Sequence, residues 1–216
     1  MKSKIQNPKS ETNSKSQDQG TDSWYRLFIA VFVPEEVKSE IEKAQIELRR
    51  ALPEGCVRWT KRQQLHLTLK FLGNVGAERI ESLAGLVRGV CRQFAPLELR
   101  AKQVGFFPEH GFPRVVWVGI DDRQRQLLSL QREIERASRD FAPEEAPEKF
   151  TGHVTLGRVK QIRRVEAEIL ARAKSEMADR IFGEWTATQV DLMRSELEAA
   201  GARHESLAAM RLGELA

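Results

Sequence analysis

From Tyr25 to Val33 the chain is β-branched and aromatic, and Pro34 with Glu35 and Glu36 has the composition of a helix's first turn. The pattern predicts a strand running into a helix. In that helix Val37, Ile41, Ala44, Leu48 and Leu52 recur every three or four residues and draw one apolar stripe, closed by Gly55. Two short strands are expected next, over 57–60 and 65–71, on either side of a polar turn at Lys61 to Gln64. In the second, Leu65, Leu67, Leu69 and Phe71 alternate with His66, Thr68 and Lys70. Period-two alternation sends the first set to the core and the second to solvent or a cleft.

A second amphipathic helix is predicted over 77–94, with Ile80, Leu83, Val87, Val90 and Phe94 on its inner stripe. Strands over 97–106 and 115–120 follow, joined by a loop through Pro108, Gly111 and Pro113. Asp121 or Asp122 then caps a third helix carrying Leu127, Leu130, Ile134, Ala137 and Phe141, which the run from Pro143 to Pro147 ends. The strand over 150–159 alternates again, with Val154 and Leu156 on one side and His153 and Thr155 on the other. A fourth helix over 165–177, a strand over 184–194, a turn at Gly201 and a strand over 205–212 complete an α+β chain with mainly antiparallel sheets.

Composition narrows the setting more than the function. With 216 residues, 41% of them hydrophobic, the chain can bury one sizeable core or two small lobes. Its formal charge of +4 and pI near 9.2 favour an anionic partner only mildly. Residues 1–23 are rich in Lys, Ser, Gln and Asn without an apolar core, and read as a disordered polar tail, not a secretory signal or anchor. The apolar stretch Leu27 to Val33 is far short of the ~20 residues of a membrane helix. Cys56 and Cys91 stand alone, without CxxC or CxxH spacing, so neither a disulfide framework nor a zinc site is indicated. A soluble protein in a reducing, cytoplasmic setting is expected.

The chemistry lies in two copies of one pattern, HLTL at His66 to Leu69 and HVTL at His153 to Leu156. Each sits on a predicted strand, with imidazole and hydroxyl on one face. Such a pair suits a phosphodiester cleaved without a metal. A neutral imidazole takes the proton of attacking water while an imidazolium protonates the departing sugar oxygen, each typically worth ~10²–10⁴-fold. The threonines can donate to non-bridging phosphate oxygens, where charge develops. No carboxylate cluster lies beside either motif, so no metal or other cofactor is expected.

The chain resembles the 2H phosphoesterases, and among them the RNA 2′,3′-cyclic phosphodiesterases once called 2′-5′ RNA ligases. The likeness runs through RLFIAVFVP from Arg26, VRWTKRQQLHLTLKFLGNV from Val57, GFFPEHGFPRVVWVGI from Gly105, FTGHVTLGRVK from Phe150 and MRSEL from Met193. It implies a bilobal, pseudo-twofold fold over residues 24–216, two mainly antiparallel sheets flanked by helices around a central cleft. It also implies hydrolysis of terminal 2′,3′-cyclic phosphates on RNA or oligonucleotides to 2′-phosphates. By the same resemblance His153 is the general base, His66 the general acid, and Arg158 sits near the nucleotide. Gly152 and His204 stand where the family often has proline and tyrosine, and His204 receives no role.

Arg114 is a candidate phosphate or sugar contact, whereas His110 in the same loop is expected in solvent. Phe28 and Trp59 can stack on a base or pack half-buried, and Lys70 can line the cleft or form a surface pair. A monomer acting on RNA ends is the leading expectation. A non-catalytic RNA-binding module and a 2′-5′ ligase, the same chemistry reversed, are its competitors.

Overall fold

The computed structural model describes residues 23–142, 150–198 and 201–213; the tail expected over 1–23 lies outside them apart from Ser23, as does the proline run after Ala142. Among the described residues there are nine strands, β1 (Trp24–Phe32), β2 (Val57–Trp59), β3 (His66–Gly76), β4 (Leu97–Phe107), β5 (Val115–Asp122), β6 (His153–Val159), β7 (Ile181–Ala187), β8 (Gln189–Glu198) and β9 (Gly201–Arg211). Four α-helices accompany them, α1 (Glu35–Ala51), α2 (Ile80–Cys91), α3 (Gln126–Ala137) and α4 (Arg164–Glu176). No described helix is long and apolar enough to cross a membrane.

All strand pairs are antiparallel, and the order is β7-β4-β5-β6-β3-β1-β8-β9, with β2 attached to β6. The two expected sheets are therefore halves of one sheet, joined where β3 meets β6 through the single pair Leu67↔Val154. β3, β1, β8 and β9 form one lobe; β6, β5, β4 and β7, with β2, form the other.

The apolar stripes decide which helix covers which lobe, and they exchange the two halves of the chain. α2 and α3 bury Leu83, Val87, Leu127, Leu130 and Ile134 against Leu27, Ile29 and Leu67 of the first lobe. α1 and α4 bury Ile41, Leu48 and Leu170 against Val116, Leu156 and Phe182 of the second. Each lobe thus takes one helix from each half of the sequence. Among the described residues the other face of the sheet carries no α-helix and is the cleft face.

Several expected boundaries shift. The single strand expected over 184–194 is two strands, divided at the exposed Thr188, because β7 bonds to β4 in the second lobe and β8 to β1 in the first. The apolar alternation slips by one residue at the break, from Trp185 and Ala187 to Val190 and Leu192, with Thr188 and Gln189 between. The second helix opens with a 3₁₀ turn at Ala77–Arg79 and ends at Cys91. Asp122, not Asp121, serves the third helix, accepting from the Gln124 and Leu127 amides at 3.0 and 2.6 Å, while Asp121 pairs with Lys102. The turn at Gly201, with φ +118°, carries the β8–β9 hairpin.

Candidate active site

Leu67 and Val154, the one pair joining the lobes, are fully buried on the helix side. Antiparallel register carried one residue each way sets His66 across from Thr155 and Thr68 across from His153. All four are half-buried on the cleft face. The two histidines are close enough for the charge of His153 to act on His66.

Alternation then breaks on both strands just past the motif. The β1–β3 ladder passes from Ala30↔Thr68 to Ile29↔Lys70, so Leu69 and Lys70 both face the helices. The β5–β6 ladder likewise passes from Trp117↔Thr155 to Val116↔Gly157, and Leu156 and Gly157 both face inward. The fifth residue after each histidine returns to the cleft face: Phe71 in one motif, 62% exposed and 6.2 Å from Phe28, and Arg158 in the other. This corrects two expectations. Phe71 does not face the core, and Lys70 does not line the cleft; it is buried and ion-paired with Glu135 of α3.

A backbone carbonyl two residues upstream acts on each imidazole. His153 Nδ1 lies 2.7 Å from the Thr151 carbonyl, so it donates there and leaves Nε2 free. For His66 the corresponding group is the Gln64 backbone carbonyl, which favours its imidazolium. The 3₁₀ turn Arg62–Gln64 supplying that carbonyl is itself anchored. Arg62 forks onto Glu35 and Glu42 of α1 at 3.0 and 2.9 Å, and the Gln64 side chain donates to the Ala202 carbonyl of β9.

Aromatic rings complete both niches. Phe28 of β1 stacks on His66 at 4.8 Å and 29°, and His204 of β9 meets His66 edge-on at 5.2 Å. Phe107 stands edge-on to His153 at 5.1 Å, with Trp117 at 6.2 Å. Trp117 lies over Gly105, where its ring atoms come within 2.1 Å of the place a Cβ would take, so no side chain fits there. Burial pushes the His66 imidazole down to about 4, helped by His204, against the pull of the Gln64 bond. Burial also lowers His153, with the Arg158 charge adding to it. Both rings are thus neutral near neutrality in the free cleft. A cavity of about 100 Å³ beside His66 is lined by Phe32, Gln63, Leu65, Met193, His204 and Ser206.

The other candidates divide plainly. Arg158 is exposed on the cleft face, and Arg114 is exposed where its backbone bridges Phe107 and Val159. His110 is exposed in its loop, and Trp59 packs against the core of the second lobe. Phe28 is 3% exposed and serves as the stacking partner of His66. Cys91 is buried, its thiol pushed up to about 12, and Cys56 donates to the Pro53 carbonyl. His204 is the neighbour that sequence reasoning left without a place. It reaches the site through the hairpin pair Ser195↔His204, which no local periodicity encodes.

Two copies of one histidine–threonine motif, on strands that meet at one backbone pair, are the arrangement of a phosphoesterase. A model of the LigT like phosphoesterase family matches the chain twice, over residues 31–117 and 118–204, and the chain belongs to that family. It is 31% identical over 189 residues to the RNA 2′,3′-cyclic phosphodiesterase of Methanothermobacter thermautotrophicus, covering 87% of this chain and 98% of that one. The protein of the same name from Thermus thermophilus is 32% identical over 183 residues, covering 82% and 84%. A crystal structure of a Thermus thermophilus protein superposes with a TM-score of 0.70 at 30% identity, over 87% of this chain and 98% of that one. Escherichia coli LigT complexed with 3′-AMP shares the fold at a TM-score of 0.68 and 23% identity, over 89% and 100%.

Proposed function

We propose that this protein is an RNA 2′,3′-cyclic phosphodiesterase that hydrolyses terminal cyclic phosphates to 2′-phosphates with two histidines and no metal. The observation that carries this is the quartet at the lobe junction, where both motifs flank the single β3–β6 pair Leu67↔Val154 on the cleft face. A phosphorus atom above that pair has one imidazole on either side and a hydroxyl beside each. His153, its Nδ1 committed to Thr151, accepts the water proton at Nε2 as the water oxygen bonds to phosphorus. The bond from phosphorus to O3′ breaks, His66 delivers its proton to that oxygen, and the phosphate stays on O2′. Thr68 and Thr155 donate to the non-bridging oxygens, and Arg158 and Arg114 add positive charge nearby.

The proton on His66 arrives with the substrate, because the negative charge of the phosphate favours the imidazolium that burial disfavours. The leaving oxygen is neutralised by that proton, so the step as written calls for no cation. Both half-sites come from one chain, which makes a monomer the working unit, and the free cysteines suit a cytoplasmic setting.

Incubation with a nucleoside 2′,3′-cyclic phosphate tests the activity, with a 2′-monophosphate expected; binding without turnover would make the chain a binding module instead. A substrate with sulfur replacing the bridging 3′-oxygen tests the two roles. A thiolate departs without a proton, so His66→Ala should recover much of its lost rate on it and His153→Ala should not. Rescue of His153→Ala alone would exchange the two assignments.

A further inference from the structure

The large apolar side chains left in water are divided by kind. Among the described residues the aliphatic ones stand one on each helix and one on the edge strand β7. The aromatic ones are Trp24, Phe32 and Phe71 on β1 and β3, with Phe112 in the β4–β5 loop. Scattered aliphatic side chains need no special cause. Rings exposed at 63% for Trp24 and 62% for Phe71, on the strands that seat His66, call for one. Their neighbours fix the direction of both. Tyr25 and Leu27 pack into the core under α2 and α3, so Trp24, Arg26 and Phe28 share the opposite, cleft face of β1. Phe71 stands directly across from Phe28, one ring further out from His66. Trp24 stands across from Gly76, which offers no side chain to cover the indole, and the Glu78 carboxylate sits where a Cβ on Gly76 would project. Between the two rings Arg26 is exposed, opposite Asn74.

A row of ring, cation and ring leading away from His66 fits single-stranded RNA, whose bases stack on aromatic faces while its phosphates meet the cations between them. The Glu78 carboxylate repels a phosphate beside Trp24 but not the face of a base, so Trp24 suits a base. From Phe28 to Trp24 is four residues, about 13 Å of extended strand. At ~3.4 Å per stacked nucleotide, and more when unstacked, that span takes about two to four nucleotides. We propose that the RNA strand upstream of the cyclic end lies along β1, with its terminal base on Phe71 and a base about two to four nucleotides upstream on Trp24. This rests on the phosphodiesterase reading above.

The test uses oligoribonucleotides of one to about six nucleotides that end in a 2′,3′-cyclic phosphate. kcat/KM should rise about ten- to a hundredfold once the strand is long enough to reach Trp24, the worth of one stacked base. A strand of the same length with abasic sugars upstream keeps every phosphate and should show no such rise. Trp24→Ala should abolish the rise and leave mononucleotide turnover unchanged, whereas Trp24→Phe should keep most of it. Phe71→Ala should raise KM at every length with kcat kept, since every substrate has a terminal base. The proposal is overturned by the absence of a rise, by a rise that survives Trp24→Ala or is reproduced by abasic sugars, or by an unchanged KM in Phe71→Ala. Binding of an oligoribonucleotide ending in a 2′-phosphate, followed by fluorescence anisotropy, judges the strand path apart from catalysis. If no substrate is turned over, the phosphodiesterase reading fails, while an affinity about tenfold weaker in Trp24→Ala still upholds the path and an unchanged affinity refutes it.

Discussion

His66→Gln should flatten the acid side of the stability profile. The unfolded chain binds the His66 proton near the ordinary value of 6.5, whereas the folded chain binds it only at about 4. Between those values the unfolded state holds more protons, so this group's contribution is fully present above 6.5 and is lost as pH falls through that window. The whole shift is worth about 3 kcal/mol, of which about 2 kcal/mol is lost between about pH 7.5 and pH 5. Glutamine is neutral throughout and of similar size, so it keeps contact with Phe28 without the penalty. Urea denaturation of both proteins at the two pH values gives the difference of differences, in which any constant cost of the substitution cancels. The wild type should lose about 2 kcal/mol more than the variant. Parallel profiles would refute the idea that burial against Phe28 and beside His204 holds His66 neutral.

His66→Ala and His153→Ala should each lower kcat by about 10²–10⁴-fold while circular dichroism and melting temperature stay near wild type, since each removes a proton-transfer group from a half-buried position. Because both imidazoles are held below 6.5 in the free protein, kcat/KM should peak below that pH and kcat above it; coincident profiles would mean that substrate leaves both groups unperturbed. Glu135→Ala should destabilise the fold by about 3 kcal/mol by stranding the buried Lys70 charge, and Lys70→Met in the same chain should recover most of this in chemical denaturation. Exhaustive chelation should leave turnover unchanged; loss restored by added metal would count against the two-histidine route.

Both HxT strands were legible because their alternation is strict through the four residues that matter. The residues just beyond were not. One extra residue at Leu69/Lys70 and one at Leu156/Gly157 reverse the faces, and a bulge is set by the ladder with the neighbouring strand, not by local composition. The helix stripes were equally legible, down to Val37, Ile41, Ala44, Leu48 and Leu52, all of them buried. Which lobe each stripe would cover was not, because apolar area carries no address. His204 was left without a role for a related reason: it gains its meaning from His66, far away in sequence.

The exchange of helices and strands between halves also sets an order of assembly during synthesis. Every element of the second lobe, including the α1 that covers it, has been made once β7 emerges. The first lobe must wait longer, since β1, among the earliest segments made, finds its second neighbour only in β8, with Leu27 opposite Arg194. Closing so long a loop is slow compared with local pairing. The strand bearing His153 can therefore settle on the ribosome, while β1, which seats His66, stays half-paired until the β8–β9 hairpin arrives. A nascent chain cut short before that hairpin carries both histidines and no working cleft.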